Sequence, residues 1–64
     1  MANIEATVEN GVGRILLNRP QALNAMDMPM YVAIGSALDT WAGDPAVRAV
    51  TLRGAGKAFC AGGD

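Results

Sequence analysis

Residues 27–45 read DMPMYVAIGSALDTWAGDP, and the apolar residues in this segment recur at the three- and four-residue spacing of one helix face. That face carries Met30, Ala33, Ile34, Ala37, Leu38 and Trp41. Asp27 is a suitable N-cap, and Pro29 falls in the first turn, where the N–H that it lacks is not needed. Gly43 can take the left-handed conformation that ends many helices, and Pro45 stops the helix from continuing. The segment predicts one amphipathic helix.

Extended patterns lie on both sides of this helix. Apolar and polar residues alternate over residues 4–9, Asn10-Gly11 supplies the positive φ angles of a two-residue turn, and residues 12–17 resume the extended pattern. The continuous apolar run at 15–17 indicates burial on both faces, and residues 49–53 read as a second buried strand. A strand, a helix and a strand in this order predict a right-handed crossover onto a parallel sheet, which needs covering layers on both faces.

The length of the chain limits how well it can fold alone. A chain of 64 residues buries only roughly 60% of the surface that it exposes when unfolded. Small folds usually rely on disulfides or metals, but the sequence has one cysteine and no histidine. The chain is therefore expected to be a core segment of something larger and not to be stable alone.

Composition argues against several classes of partner. The formal net charge is −1 and the five basic residues are scattered, so no basic surface for nucleic acid is expected. The longest uncharged stretch, residues 28–38, is too short for the roughly 20 apolar residues of a membrane span. The first residues lack a basic region and an apolar signal core, so a cytoplasmic location and a reduced Cys60 are expected.

Several candidate sites have simpler interpretations. Gly54-Ala55-Gly56-Lys57 lacks the first glycine and the following Ser or Thr of a phosphate-binding loop, so a flexible exit from a strand is favoured. Cys60 has no histidine to activate it and is interpreted as a small apolar residue. The methionines at 26, 28 and 30 are assigned to packing, with an apolar ligand slot as the alternative. Glu5 and Glu9 are interpreted as solvated, and no metal site is predicted.

The segment KAFCAGGD, residues 57–64, is the strongest candidate for chemistry. Small residues let a ligand approach the backbone, and Gly62 and Gly63 leave their N–H groups unshielded. Main-chain donors of this kind can face a developing negative charge, although on spacing alone a plain Gly-Gly turn is the favoured interpretation.

Two separated segments, LNRPQALNAM at 17–26 and GAGKAFCAGGD at 54–64, resemble the signature of the crotonase (enoyl-CoA hydratase/isomerase) superfamily in order and spacing. The helix ending near Trp41 and the following Asp44-Pro45-Ala46-Val47 also match the register of that family. The resemblance covers nearly the whole chain. It implies a crotonase-like α/β fold, a ββα spiral, of which this chain supplies the β-hairpin, the amphipathic helix and one inner strand. Residues 1–64 would then be the amino-terminal segment of a single acyl-CoA-binding domain, with the remainder of that domain outside this chain.

The resemblance also implies a site. Family enzymes bind acyl-CoA and stabilise an enolate or a tetrahedral oxyanion with two backbone N–H donors, and the first donor corresponds to Gly63. The path of coenzyme A would be lined by Gln21, Ala22 and Leu23, in the loop after Pro20, and by the backbone of Ala61 and Gly62. Asp64 would shape the turn. The second donor and the acid/base carboxylates would lie after residue 64, so the chain alone is expected to be inactive.

The resemblance leaves the reaction open. The Phe59 to Asp64 segment and the spacing of Trp41 and Asp44 look most similar to the 3-hydroxyisobutyryl-CoA hydrolase branch, which acts in valine breakdown. A 2-enoyl-CoA hydratase or isomerase is the alternative within the family, and an inactive fragment that only associates with other chains is the alternative from another class. The family further implies a homotrimer or hexamer and no metal or organic cofactor, since coenzyme A enters with the substrate.

Overall fold

The computed structural model of the chain describes residues 3–56 and 59–60 and contains one mixed sheet and one long helix. The elements in chain order are β1 (Ile4–Glu9), β2 (Val12–Leu17), a single 3₁₀ turn (Pro20–Ala22), α1 (Met28–Ala42) and β3 (Ala49–Gly54). The strands lie in the order β1-β2-β3. The predicted order of hairpin, helix and strand is confirmed.

The first two strands form an antiparallel hairpin closed by Asn10 and Gly11. These two residues have φ angles of 52° and 79°, as a two-residue turn of the primed type requires. Glu9 pairs with Val12 next to the turn, and Ile4 pairs with Leu17 at the far end. This register is the one that the Asn-Gly pair predicts.

The third strand runs parallel to β2, and α1 is the connection between them. Parallel strands need a long crossover because the chain must return to the same end of the sheet. The pairing begins with Val12 opposite Ala49 and ends with Leu17 opposite Gly54. Both β2 and β3 therefore deliver their carboxyl ends to the same edge of the sheet.

The apolar core lies between α1 and one face of the sheet. Ile15, Leu17, Met30 and Trp41 are buried, and smaller or partly exposed side chains such as Ile34 pack against them. Ile15 and Leu17 lie on the same face because strand side chains alternate. Met30 and Trp41, at opposite ends of the apolar helix face, hold α1 over this part of the sheet.

Burial on both faces of the sheet, predicted from the apolar runs, is wrong for the residues that the structure describes. Leu16, on the face opposite the helix, is only half-buried, and every residue of β3 from Ala49 to Arg53 is exposed. Val50 and Leu52 retain 46% and 45% of their accessible surface. The reason is geometric, since one helix covers one face of two strands, whereas burying β3 needs a further layer.

The two ends of α1 differ in how well they match the prediction. Asp27 is the N-cap as predicted, and its Oδ1 accepts a hydrogen bond from the Met30 N–H at 3.0 Å. Gly43 is not left-handed, since its φ is −93° and its ψ is 3°. A tight turn ends the helix instead: the Asp44 N–H donates to the Trp41 carbonyl at 3.1 Å, and Asp44 Oδ1 accepts from the Ala46 N–H at 2.9 Å.

The helix approaches β2 most closely at Gly13. A Cβ atom placed on Gly13 would lie 2.5 Å from Cε3 of Trp41, well inside the distance of ordinary contact. The absence of a side chain at Gly13 therefore lets the indole ring lie directly on the strand, which brings the last turn of α1 down onto the sheet.

Candidate functional site

The loop that follows β2 is compact and closed by its own backbone. Pro20 begins the 3₁₀ turn with its fixed φ, and the N–H groups of Ala22 and Asn24 both donate to the Arg19 carbonyl, at 3.0 and 2.9 Å. Leu23 and Asn24 have φ angles of 52° and 58°, two consecutive left-handed residues that reverse the chain. We call residues 19–25 the first loop.

The buried side chain of Asn24 stabilises the first loop by hydrogen bonds. Asn24 is fully buried, and its Oδ1 accepts a hydrogen bond from the Arg19 N–H at 2.8 Å. Its Nδ2 donates to the carbonyl of Ala55 at 2.7 Å. Asparagine tolerates the left-handed region better than most residues, and both ends of its buried amide are satisfied. Asn24 thus links the first loop to the segment that leaves β3.

Further contacts join the same two segments. The Ala55 N–H donates to the carbonyl of Leu17 at 2.8 Å, which extends the parallel ladder past the end of β3. Gly56 has a φ of +79°, and a Cβ placed on it would lie 2.9 Å from Cβ of Pro20. The first loop and the exit of β3, residues 54–56, therefore lie against each other at the carboxyl ends of two parallel strands, where ligands commonly bind in open α/β sheets.

The guanidinium of Arg19 links the first residue of the loop to the last one. Its Nη1 donates to the carbonyl of Ala25 at 2.9 Å, across the full width of the loop. This bond satisfies a carbonyl that the reversal of the chain leaves outside any ladder. Because the backbone N–H of Arg19 also donates to Asn24 Oδ1, Arg19 stabilises the loop through both its main chain and its side chain.

The predicted coenzyme A residues of the first loop lie at its surface. Gln21 is exposed within the 3₁₀ turn, Ala22 is half-buried, and Leu23 keeps 50% of its surface accessible. Their side chains are therefore available to a ligand. The other predicted site residues, Ala61, Gly62, Gly63 and Asp64, lie outside the described residues, so their roles stay predictions.

The sequence alone assigned a role to neither Arg19 nor Asn24, and of the two it is Asn24 that contacts the exit of β3. It stands between Leu23 and Ala25 in a loop whose nearest charges are Arg19 and Asp27. The feature that could have indicated a structural role is an amide side chain between two apolar residues. Such a side chain either points to solvent or is buried with both of its polar atoms hydrogen-bonded.

Other sequence candidates do not join this site. Met30 belongs to the core, Met26 is half-buried and Met28 keeps 71% of its surface, so the three methionines do not line one slot. The two glutamates are exposed as predicted. Glu5 Oε2 accepts from Asn18 Nδ2 at 2.8 Å, and Glu9 lies 3.3 Å from the guanidinium of Arg14.

The remaining alternatives concern metals, the cysteine and the membrane. Cys60 is half-buried against the core, as expected of a small apolar residue. Over residues 3–56 and 59–60, no three metal-ligating side chains come together. Within the same part of the chain, no helix has the length and apolar character needed to cross a bilayer.

Comparison with known proteins gives consistent results. A sequence profile described as "Enoyl-CoA hydratase/isomerase" matches residues 12–64. The chain is 53% identical over 53 residues to the mitochondrial 3-hydroxyisobutyryl-CoA hydrolase of Xenopus laevis, which covers 81% of this chain and 14% of the relative. It is 49% identical over 53 residues to a probable enoyl-CoA hydratase of Rhizobium meliloti, covering 83% of this chain and 21% of the relative.

A solved structure shows the same likeness in three dimensions. The crystal structure of an enoyl-CoA hydratase/isomerase from Xanthobacter autotrophicus superposes with a TM-score of 0.91 at 44% identity, over 98% of this chain and 23% of the other. The three-stranded mixed sheet and the helix thus match the amino-terminal part of that structure. The chain spans only about a seventh to a fifth of the length of the two curated relatives.

Proposed function

Because this chain belongs to the enoyl-CoA hydratase/isomerase (crotonase) family, we propose that it forms the amino-terminal part of an enzyme that processes acyl-CoA thioesters. Proteins of this family bind acyl-CoA. The observation that carries the proposal is the contact between the first loop and the exit of β3, made through Asn24 and Ala55. It joins the first loop, which carries Gln21, Ala22 and Leu23, to residues 54–56, which precede the predicted residues 61–64 in the sequence.

The proposed chemistry uses the backbone that follows this junction. The thioester oxygen gains negative charge when an enolate or a tetrahedral intermediate forms, and the Gly63 N–H donates to that oxygen. A fixed donor in a dry site stabilises such a transition state by roughly 3 kcal/mol. Gln21, Ala22 and Leu23 contact coenzyme A from the first loop, Ala61 and Gly62 contact it through their backbone, and Asp64 shapes the turn.

We propose thioester hydrolysis of the 3-hydroxyisobutyryl-CoA type as the reaction. The support is the identity of 53% to the hydrolase of Xenopus laevis. Hydration of a 2-enoyl-CoA is the second candidate, supported by the identity of 49% to the probable hydratase of Rhizobium meliloti. The two reactions share the oxyanion donor and differ in the acid/base groups, which the proposal assigns to the remainder of the domain.

A proline at position 63 tests the role of the donor. In a protein that joins these residues to the remainder of the domain, Gly63→Pro deletes the N–H, so we expect turnover to fall by roughly 100-fold or more. Gly63→Ala keeps the N–H and is the matched control, with turnover expected within roughly 10-fold of the unmodified protein. Release of free thiol from 3-hydroxyisobutyryl-CoA measures hydrolysis, and loss of enoyl absorbance measures hydration.

Binding of coenzyme A separates a lost donor from a lost fold. We expect the Gly63→Pro protein to bind coenzyme A, measured by titration calorimetry, because the first loop is unchanged. Turnover by that variant equal to that of the Gly63→Ala protein would refute the proposed donor.

A further inference from the structure

We propose that Asn24 is a positioning residue that sets the placement of the first loop relative to the exit of β3, residues 54–56, and so aligns bound acyl-CoA with the oxyanion donor proposed at Gly63. This inference rests on the proposed function. Its basis is that the loop predicted to contact coenzyme A is joined to the exit of β3 by a buried carboxamide, which reaches the Ala55 carbonyl 31 residues further along the chain.

The chemistry of the contact requires an amide. Oδ1 accepts from the Arg19 N–H at 2.8 Å, while Nδ2 donates to the Ala55 carbonyl at 2.7 Å. A carboxylate can accept both ways but cannot donate, and an apolar side chain can do neither. Since Asn24 also has a φ of 58°, asparagine fits the backbone as well as the bonds.

The contact lies where small displacements matter. Gly56 approaches Pro20 so closely that a Cβ on it would lie 2.9 Å from the proline Cβ, so the two segments are also packed together at a second point. An oxyanion donor must lie about 2.7–3.1 Å from the charged oxygen. A displacement of about 1 Å can lower the rate roughly 100-fold. Loss of the Asn24 bond should therefore lower kcat more than it lowers the affinity for coenzyme A.

The decisive variant is Asn24→Asp, studied in the protein that contains the remainder of the domain. At about pH 8 the introduced carboxylate cannot donate to the Ala55 carbonyl, and we expect kcat to fall about 10- to 100-fold. The Kd of free coenzyme A, which has no thioester oxygen, should change less than about 3-fold. At about pH 5, protonation restores a donor, since burial raises the pKa of a carboxyl, and the ratio of variant to unmodified kcat should rise.

Asn18→Asp is the matched control. Asn18 is exposed and precedes the first loop, and its Nδ2 donates to Glu5 Oε2 at 2.8 Å. The substitution makes the same chemical change six positions earlier and also loses a side-chain bond. We expect its kcat and its pH profile to equal those of the unmodified protein, which separates the junction from a general effect of added charge.

A second variant keeps the test valid should Asn24→Asp fail to fold. Gly56→Ala alters the junction from its exposed side, where the new Cβ must displace Pro20. We expect kcat to fall by about 10-fold with little change in the Kd of coenzyme A.

The outcomes distinguish the inference from the proposed function. An unmodified protein that neither binds coenzyme A nor turns over either thioester contradicts the proposed function. If the unmodified protein is active and the folded Asn24→Asp variant has a normal kcat, the positioning role alone is overturned. If Asn24→Asp does not fold, a normal kcat in Gly56→Ala overturns it in the same way. The positioning role is also overturned if Asn24→Asp lowers kcat and the affinity for coenzyme A equally and its relative kcat does not recover at low pH.

Discussion

Gly13 lies beneath the indole ring of Trp41 and has no room for a side chain. A Cβ at this position would meet three ring atoms at 2.5, 2.6 and 2.9 Å. Overpacking of this kind costs about 1–3 kcal/mol, more than the gain of up to about 1 kcal/mol from replacing a strand glycine with alanine. We expect Gly13→Ala to lower the free energy of unfolding, measured by urea denaturation of the complete protein.

Gly35→Ala is the control, with the opposite sign. No described atom lies within 4 Å of a Cβ built on Gly35, which is exposed in α1. Alanine favours a helix over glycine by about 1 kcal/mol, so this variant should be more stable than the unmodified protein. Equal stability of the two variants would contradict the packing described for Gly13.

Single residues also show where sequence interpretation reached its limit. The positive φ angles of Asn10 and Gly11 were predictable because a two-residue turn is a local structure. The role of Asn24 was not predictable, since its partner Ala55 is 31 residues away and the bond depends on the parallel register of β2 and β3. The resemblance to a family implied substrate contacts for Gln21, Ala22 and Leu23 but did not indicate that Asn24 joins this loop to the exit of β3.

The amino-terminal end of α1 is stabilised by the side chain of Asp27. Its carboxylate accepts from the Met30 N–H, one of the donors that a helix start leaves without a backbone partner. Asp27→Ala should lower the free energy of unfolding by about 1 kcal/mol. Asp27→Asn keeps the acceptor and should lose less, whereas Asp39→Ala, on the exposed face of the same helix, should stay within about 0.5 kcal/mol. Thermal unfolding followed by circular dichroism measures all three, and equal effects of Asp27→Ala and Asp39→Ala would exclude the cap.

The elements were predicted well where their signals are local. The N-cap, the proline in the first turn and the apolar spacing fixed the start of α1, and the alternation of residues 4–9 fixed β1. Gly43 was wrongly expected to be left-handed, because the Asp44 N–H donates to the Trp41 carbonyl in a tight turn that needs no left-handed residue. Apolar runs in β2 and β3 correctly predicted strands but not their burial, because among the described residues α1 covers one face of the sheet and leaves β3 exposed.

At the scale of the whole molecule, the exposed apolar face of β3 is where a complete domain would differ most from this chain. Leu52 pairs with Ile15 on the face that carries the core, yet 45% of its surface is accessible. In residues 1–64 alone, Leu52→Lys should reduce the binding of a hydrophobic dye, since it removes exposed apolar surface. In the protein with the remainder of the domain, the same change should lower the free energy of unfolding by more than about 2 kcal/mol, because a charge would be buried.

The prediction is tested by comparing dye binding by residues 1–64 with the stability of the protein that contains the remainder of the domain. A complete protein whose stability is unchanged by Leu52→Lys would show that no further layer covers β3. Thr51→Lys changes the neighbouring residue, which points to the other face of the same strand, and reports whether a positive charge on β3 is tolerated there.

The close packing of Trp41 on Gly13 makes the tryptophan an intrinsic fluorescence probe of the contact between α1 and the sheet. Trp41 is the single tryptophan in the sequence and keeps 9% of its surface accessible. Its fluorescence therefore reports the docking of the last helical turn onto the sheet, whereas far-ultraviolet circular dichroism reports the helix itself. Coincident transitions by the two signals would mean that α1 forms only when it docks, and separated transitions would reveal a helix that exists before the sheet receives it.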